Sequence, residues 1–503
     1  MGRKVTLISL SILTLVMFSL SFLTKSWYIY VPTALVVILL FIANEHVIQK
    51  RHSILRNYPV WGMLRYVFEA QRDKIRQYFN ESNTDEVPFS KEQRSVVYQR
   101  SKGDLETVPF GTLHNVYKVG HEYAVHSMYN TGIDKVDNIK FMIGSKHCTQ
   151  PYESSRMNIS DMSWGSLSGA AIRALNKGAK KGGFSHSTGE GGISPHHMKG
   201  GDIIFQIGTG YFGAGYTNND GVRMFGKHMF SINSKLKEVK MVEIKLSQGA
   251  KPGHGGMLPA KKNTKEIAEA RGVEPHTNVN SPGHHTAFSN EKEMVEFIQT
   301  LRELSGGKPV GIKMCVGNYI EVESLIKTFK EMDNYPDYIS IDGSEGGTGS
   351  APLEYTNNMG TPLVDGLVMV SKLLKLNGLD NEIKIFASGK VIDGFDILRL
   401  LSLGASGVKV ARGFMFSLGC IQARECNKDT CPVGIATQNK SLEKGLVVED
   451  KFERVYRYQK RTIEELVDIV KSMGLNDIND IDSNMIYRRL ENGSVKSLKE
   501  IYE

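Results

Sequence analysis

The chain has 503 residues, 41% of them apolar, and a net charge of +8 spread along its length. That length allows one large domain with additions, or several average ones. No aromatic-studded basic stripe or nucleic-acid motif accompanies the charge, so no nucleic-acid partner is expected.

Residues 5–43 contain a single charge, Lys25, and two apolar runs, Val5–Thr24 and Trp27–Ala43. Each run is long enough to cross a bilayer as a helix. Trp27, Tyr28 and Tyr30 suit an interface belt between them. Arg3 and Lys4 precede the first run, and Lys50, Arg51 and Arg56 follow the second. Positive charge on both outer flanks predicts a two-helix membrane anchor over 1–44, with the rest of the chain cytoplasmic. The alternative of a cleaved signal peptide lacks a small-residue cleavage site.

Residues 45–150 are polar and mixed, with helical apolar spacing over Leu64–Phe79 and a turn-rich linker at Asn83–Ser90. They are expected to form a cap or linker region without chemistry. From about 155, eight β-branched runs recur: Met157–Ser160, Gly183–Ser187, Ile203–Ile207, Val242–Leu246, Val310–Met314, Tyr338–Asp342, Ile383–Ala387 and Val408–Ala411. Helical patterns separate most of them, among them Leu167–Lys180, Glu291–Leu304, Glu321–Met332, Leu363–Leu376 and Gly394–Ser402. Eight alternating units predict an α/β chain whose (β/α)8 TIM barrel occupies 151–445, with its site at the strand C-terminal ends. An open doubly wound sheet is the other fold considered; its Gly-x-Gly-x-x-Gly run is missing after the first strand. Residues 446–503 are expected to be a helical tail beginning with the amphipathic stretch Val448–Met473.

Glycine-rich turns follow the last three strands: Gly346-Gly-Thr-Gly349, then Gly389 and Lys390, then Arg412 and Gly413. In order, they suit a phosphate grip. Lys313, at the end of the fifth strand, is placed to steady negative charge on a reduced flavin ring. Three of the five cysteines, Cys420, Cys426 and Cys431, crowd into one stretch and precede Pro432. This argues against a disulfide framework and for metal. Zinc would want a fourth ligand nearby, so three thiolates fit an iron–sulfur cluster better.

Several long motifs in order resemble the FMN-binding domain of glutamate synthase over about 155–440. They are Met162-Ser-Trp-Gly-Ser-Leu-Ser168, Ser187-Thr-Gly-Glu-Gly-Gly192, Glu243-Ile-Lys-Leu-Ser-Gln-Gly-Ala-Lys-Pro-Gly253, Gly346-Gly-Thr-Gly349 and the Gly419–Thr437 cysteine run. Asn57-Tyr-Pro to Tyr98-Gln-Arg resembles the extension of stand-alone, membrane-bound members. The resemblance implies an oxidoreductase of glutamate biosynthesis. FMN would be lined by Met162, Ser163, Gln206, Lys245, Lys313, Gly346, Gly347, Gly389, Arg412 and Gly413, with a 3Fe–4S cluster on the three cysteines. Reduced FMN would pass hydride to 2-iminoglutarate, formed from 2-oxoglutarate and ammonia, and an external donor protein (a ferredoxin or a reductase) would supply electrons. Gln248, Lys251 and Arg271 would hold the dicarboxylate, with Glu190 and Lys245 beside it.

The chain departs from that pattern at His254 and Met257, where the family commonly has Glu and Gln, and at Tyr211, where it has Arg. His284 and His285 match a family pair. Apolar sequence stands where a glutaminase domain would precede the barrel, so free ammonia or a partner is the expected nitrogen source. Two alternatives follow: an FMN and iron–sulfur oxidoreductase acting on another imine or keto acid, or a membrane-tethered electron-transfer protein. The second would need no dicarboxylate clamp.

Overall fold

The computed structural model describes residues 2–84, 87–129 and 135–502, in two compact units, Met1–Lys91 and Glu92–Glu503. The linker expected at Asn83–Ser90 includes residues 85 and 86, which lie outside the described residues. In the first unit, helices α1 (Arg3–Thr24) and α2 (Trp27–Ile48) form an antiparallel hairpin. Lys25, at φ 47°, ends α1 in the left-handed conformation. Thr33 donates its hydroxyl within α2 to Ile29 and across to the Met17 carbonyl at 3.3 Å. Leu15, Phe22, Leu35 and Phe41 are among many large apolar side chains exposed on the hairpin. Both helices are long and apolar enough to cross a membrane. The expected helix around Leu64–Phe79 is present as Gly62–Ile75, running into a π-helical turn at Arg76–Asn80.

In the second unit, eight parallel strands close into a barrel: β1 (Met157–Ile159), β2 (His186–Ser187), β3 (Ile203–Ile207), β4 (Val239–Lys245), β5 (Val310–Met314), β6 (Tyr338–Asp342), β7 (Lys384–Ser388) and β8 (Gly407–Val410). Every one overlaps a run read from the sequence, though β4 begins three residues earlier than its run, at Val239. Closure is made by β8 pairing β1, with Val408 opposite Met157. β3, β5 and β6 are buried throughout, which is why they read as continuous apolar runs rather than alternating ones.

The surrounding helices used below are α3 (Gly169–Gly182), α4 (Lys227–Ser234), α5 (Lys265–Arg271), α6 (Glu291–Leu304), α7 (Tyr319–Glu331), α8 (Leu363–Asn377), α9 (Gly394–Ser402), α10 (Arg412–Ser417) and α11 (Val448–Ser472). Between β2 and β3 the chain makes only a 3₁₀ turn, Gly189–Gly191, and a loop. Ser168 caps α3 by accepting from Ala171, and Thr264 caps α5 by accepting from Ile267. α11 packs on α3 where Gly178 leaves room: a Cβ there would lie 2.4 Å from Val455 Cγ1.

The 45–150 region expected to be one cap is divided at the unit boundary, so that 92–150 belongs with the barrel. There an antiparallel hairpin, Lys140–Ile143 with Tyr152–Ser155, closes the bottom of the barrel. It buries Ile143 against Ile204, Met241, Tyr338 and Phe386. The tail is not wholly helical: Ile486–Arg489 pairs with Val495–Ser497 and with Glu122–Ala124 in a three-stranded sheet.

Candidate functional site

At the C-terminal ends of the strands, four charged side chains converge. Lys245, the last residue of β4, meets Glu190 at 3.1 Å. A Cβ on Gly256 would sit 2.3 Å from one Glu190 oxygen, and one on Gly208 would sit 2.7 Å from the other, so only glycine lets these segments enclose the carboxylate. Burial alone would raise the Glu190 carboxyl, but Lys245, Arg271 and Lys251 hold it below the usual carboxylate range. Lys251 is itself buried, which lowers its ammonium against the pull of Glu190. Arg271 ends α5 and is buried over the Phe212 ring, its carbon centre 5.0 Å from the centroid. It donates to the Trp164 carbonyl at 3.1 Å and to Ser163 Oγ at 3.4 Å, while its buried Nε has no partner among the described residues. Burial brings its guanidinium down to about 10, which leaves it charged at neutral pH. Three cations around one carboxylate leave a local charge of +2.

Beneath them lies a polar floor. Lys313 of β5 pairs with Asp161, which follows β1, and lies 3.4 Å from Asp342 at the end of β6. Asp161 also accepts from the Ser187 hydroxyl. Burial would lower the Lys313 ammonium, but Asp161, Asp342 and Glu243 outweigh it and raise it above the usual lysine value. Glu243 of β4 is fully buried and accepts from Lys409 of β8, from Ser340 at 2.6 Å and from Gln206 Nε2 at 2.9 Å. A carboxylate only accepts, so the Gln206 amide nitrogen faces Glu243 and its oxygen, buried and without a partner among the described residues, is left for another donor.

The glycine turns stand together at the other side of the mouth. The Arg412 guanidinium lies against Gly347, where a Cβ would come within 1.4 Å of Nη2. Gly389 faces the Glu345 carboxyl, 3.3 Å from a Cβ position, and Lys390 lies within the field of Glu345 and Arg412. Gly413 has a packing reason of its own: a Cβ there would meet the Tyr458 hydroxyl at 2.3 Å.

The cysteine loop leaves α10 and returns over the first-strand loop. Gln422, Arg424 and Asp429 all adopt positive φ, between 56° and 65°. Three such residues in one loop hold strain that persists only where the surroundings fix the backbone. The fixing contacts are visible. Lys262, buried, donates to the carbonyls of Ser166 at 3.1 Å, Cys426 at 2.9 Å and Ala436 at 3.0 Å. Gln438 donates to Leu167 at 2.8 Å, and Ser168 to Gly434 at 2.7 Å. Burial pushes the Cys420 thiol up to about 12 and raises that of Cys426, the neighbouring thiolates adding to it.

A sequence profile for the conserved region in glutamate synthase matches residues 117–476. The chain is 37% identical over 495 residues to the glutamate synthase large subunit-like protein YerD of Bacillus subtilis, covering 90% of this chain and 93% of that one. The chain belongs to the glutamate synthase family. It is also 33% identical over 330 residues to the archaeal glutamate synthase (NADPH) of Methanocaldococcus jannaschii, covering 65% of this chain and 60% of that one. In the glutamate synthase (NADPH) large chain of Bacillus subtilis the shared region is 20% of the length, at 30% identity. The chain thus spans nearly all of the first relative and about three-fifths of the archaeal one.

The residues that the family resemblance points to fall in two groups around one mouth. Glu190, Lys245, Lys251 and Arg271 form the first group, with half-buried Gln248 on the same loop. Met162, Ser163, Gln206, Lys313, Gly346, Gly347, Gly389 and Arg412 lie on the ends of β1, β3, β5, β6, β7 and β8 or the turns after them. The donor set suits FMN: an orphaned Gln206 oxygen, a buried lysine, and glycines whose missing side chains keep the cradle beside Arg412 open. The cysteines supply the right ligand chemistry for a family cluster. Among the described residues, however, no three Cys, His, Asp or Glu side chains are gathered to hold a metal.

Asp161, Lys262 and Lys409 were not singled out from the sequence. No local signal marks them, since each acts through partners far along the chain. Of the departures, Met257 is exposed in a two-residue pairing with Asn280, while Tyr211 is buried. Tyr211 stands 3.1 Å from His285 Nδ1, and His285 Nε2 stands 2.9 Å from the Lys245 carbonyl. Burial brings the His285 imidazole down to about 4, so the ring is neutral. Nε2–H therefore donates to the carbonyl, and the Tyr211 hydroxyl donates to Nδ1. The pair fixes the end of β4 that carries Lys245.

Proposed function

We propose that this chain is a membrane-anchored flavoenzyme of the glutamate synthase type that reduces 2-iminoglutarate, formed from 2-oxoglutarate and ammonia, to glutamate. The observation that carries this is the grouping of Lys245, Lys251 and Arg271 around the single carboxylate of Glu190, beside the donor set suited to FMN. A local charge of +2 matches a dicarboxylate substrate, and an electron relay would have no use for it. When bound, FMN supplies the hydride that the imine carbon accepts. Gly346, Gly347, Gly389 and Arg412 would hold its phosphate, and Gln206 and Lys313 its ring. Lys251 and Arg271 bind and orient the two carboxylates. Glu190, kept ionised by its cations, steadies the positive charge of the protonated imine nitrogen, which becomes the neutral amine once hydride reaches carbon. Gly208 and Gly256 close over that carboxylate and keep water from it.

Cys420, Cys426 and Cys431 would hold a 3Fe–4S cluster, which takes single electrons from an external donor protein. The apolar hairpin would hold the catalytic unit at the cytoplasmic face of a membrane. The test is cofactor analysis of the detergent-purified full chain. A yellow-brown protein releasing FMN near one per chain, with iron and acid-labile sulfide, is expected. A colourless, correctly folded protein that takes up no added FMN would sink the proposal.

A further inference from the structure

Lys313 is bracketed by two carboxylates, not one. Asp342 ends β6, next to the β5 that carries Lys313, while Asp161 reaches the same ammonium from the end of β1 across the barrel, and all three are nearly buried. Each acid is locked by a second donor: Ser187 to Asp161, and the Gly249 amide to Asp342 at 2.9 Å. Below them Lys409 and Glu243 pair one to one, and above them Glu190 stands among its own three cations, Lys245, Lys251 and Arg271. The unbalanced charge in the floor is therefore that of the triad, two negative against one positive.

We propose that Asp161 and Asp342 over-neutralise Lys313, so that a flavin at this mouth is held at a lower reduction potential than Lys313 alone would set. The inference rests on the flavin-binding function proposed above. Reduction adds two electrons, and the anionic reduced ring concentrates charge at its pyrimidine end; a lone lysine there would favour it. With two fixed carboxylates around that lysine in a low-dielectric floor, reduction becomes harder and the reduced ring becomes a stronger hydride donor. Asp161 and Asp342 are positioning residues in this account, acting on the ring through Lys313.

The experiment measures the midpoint potential of the flavin by dye-equilibrated titration of the FMN-loaded full chain in detergent. Asp161→Asn and Asp342→Asn are each expected to shift the two-electron equilibrium at least tenfold toward the reduced form, a rise of about 30 mV. Lys313→Gln is expected to shift it the other way. If Asp161→Asn loses its flavin, Asp342→Asn and Lys313→Gln decide. A merely structural role would weaken flavin binding and leave the potential where it was; an unchanged potential in a flavin-replete Asn variant overturns the proposal. A wild-type chain that binds no flavin fails earlier and separately, by overturning the flavin-binding function itself.

Discussion

Lys262 donates to the carbonyl of Cys426 at 2.9 Å, and through that bond the segment leading into α5 holds the cysteine loop. The same ammonium reaches Ser166 in the first-strand loop and Ala436 beyond the cysteines. All three of its protons are used on backbone carbonyls, so one buried side chain joins the loop of the proposed cluster, the loop of the proposed flavin site and the helix that ends in Arg271. Lys262→Met would leave those carbonyls unsatisfied, at about 1–3 kcal/mol for a buried group. The expected outcome is loss of iron and acid-labile sulfide with a folded barrel, read from iron content per chain beside the far-ultraviolet circular dichroism spectrum. Full iron content in the variant would show that the clamp is dispensable.

Arg271→Ala removes one of the three cations and a charged hydrogen-bonding group. A charge-assisted bond contributes about 1.5–3 kcal/mol, roughly a tenfold to 150-fold rise in the KM for the keto acid. Flavin content should stay constant. Steady-state kinetics at saturating ammonium would check it, and an unchanged KM would place the carboxylate elsewhere.

The pH dependence follows from Glu190 and Lys251. Glu190 titrates below the usual carboxylate range in the folded state, so its contribution to stability is complete above its unfolded value and is lost as pH falls through the lower folded one. Substrate binding that needs this carboxylate ionised should hold down to mildly acid pH. Lys251 has the opposite exposure: its ammonium is lowered by burial, so its charge is lost below the ordinary lysine range. Keto acid affinity is therefore expected to decline on the alkaline side first. In a KM-against-pH series, Lys251→Gln should flatten that alkaline limb.

Gly347→Ala sets a methyl group into the space of the Arg412 guanidinium. That group is the far end of a flexible side chain, so the barrel should keep its melting temperature while Arg412 is pushed aside. FMN affinity is expected to fall about tenfold or more, the loss of one charge-assisted contact. Fluorescence titration of the deflavinated chain would measure it, and unaltered affinity would remove Arg412 from the phosphate grip.

The barrel was legible because buried parallel strands announce themselves as short β-branched runs, and Ile203–Ile207 and Val310–Met314 show this to the residue. β2 shrinks to His186–Ser187, the end of a longer expected run, because Gly183 caps α3 in the left-handed conformation and Phe184 still bonds back to the Ala179 carbonyl. The tail sheet was missed although Asn492-Gly493 between two short runs is a hairpin signal, with Gly493 at φ 78°. Its third strand, Glu122–Ala124, is supplied from the far end of the unit, which no local pattern reveals. The same distance hides Asp161 and Lys262: an aspartate after a strand and a lysine before a helix cap look like surface residues until the fold brings Lys313 and Cys426 to them. Tyr211, a departure in sequence, becomes intelligible only beside His285.

The most direct measurement is rapid mixing of the anaerobically reduced full chain with 2-oxoglutarate and ammonium, following flavin absorbance and product. Reoxidation that requires both compounds and yields glutamate is the predicted result. A flavin that stays reduced with both present, or that reoxidises with either alone, would contradict glutamate synthesis at this site.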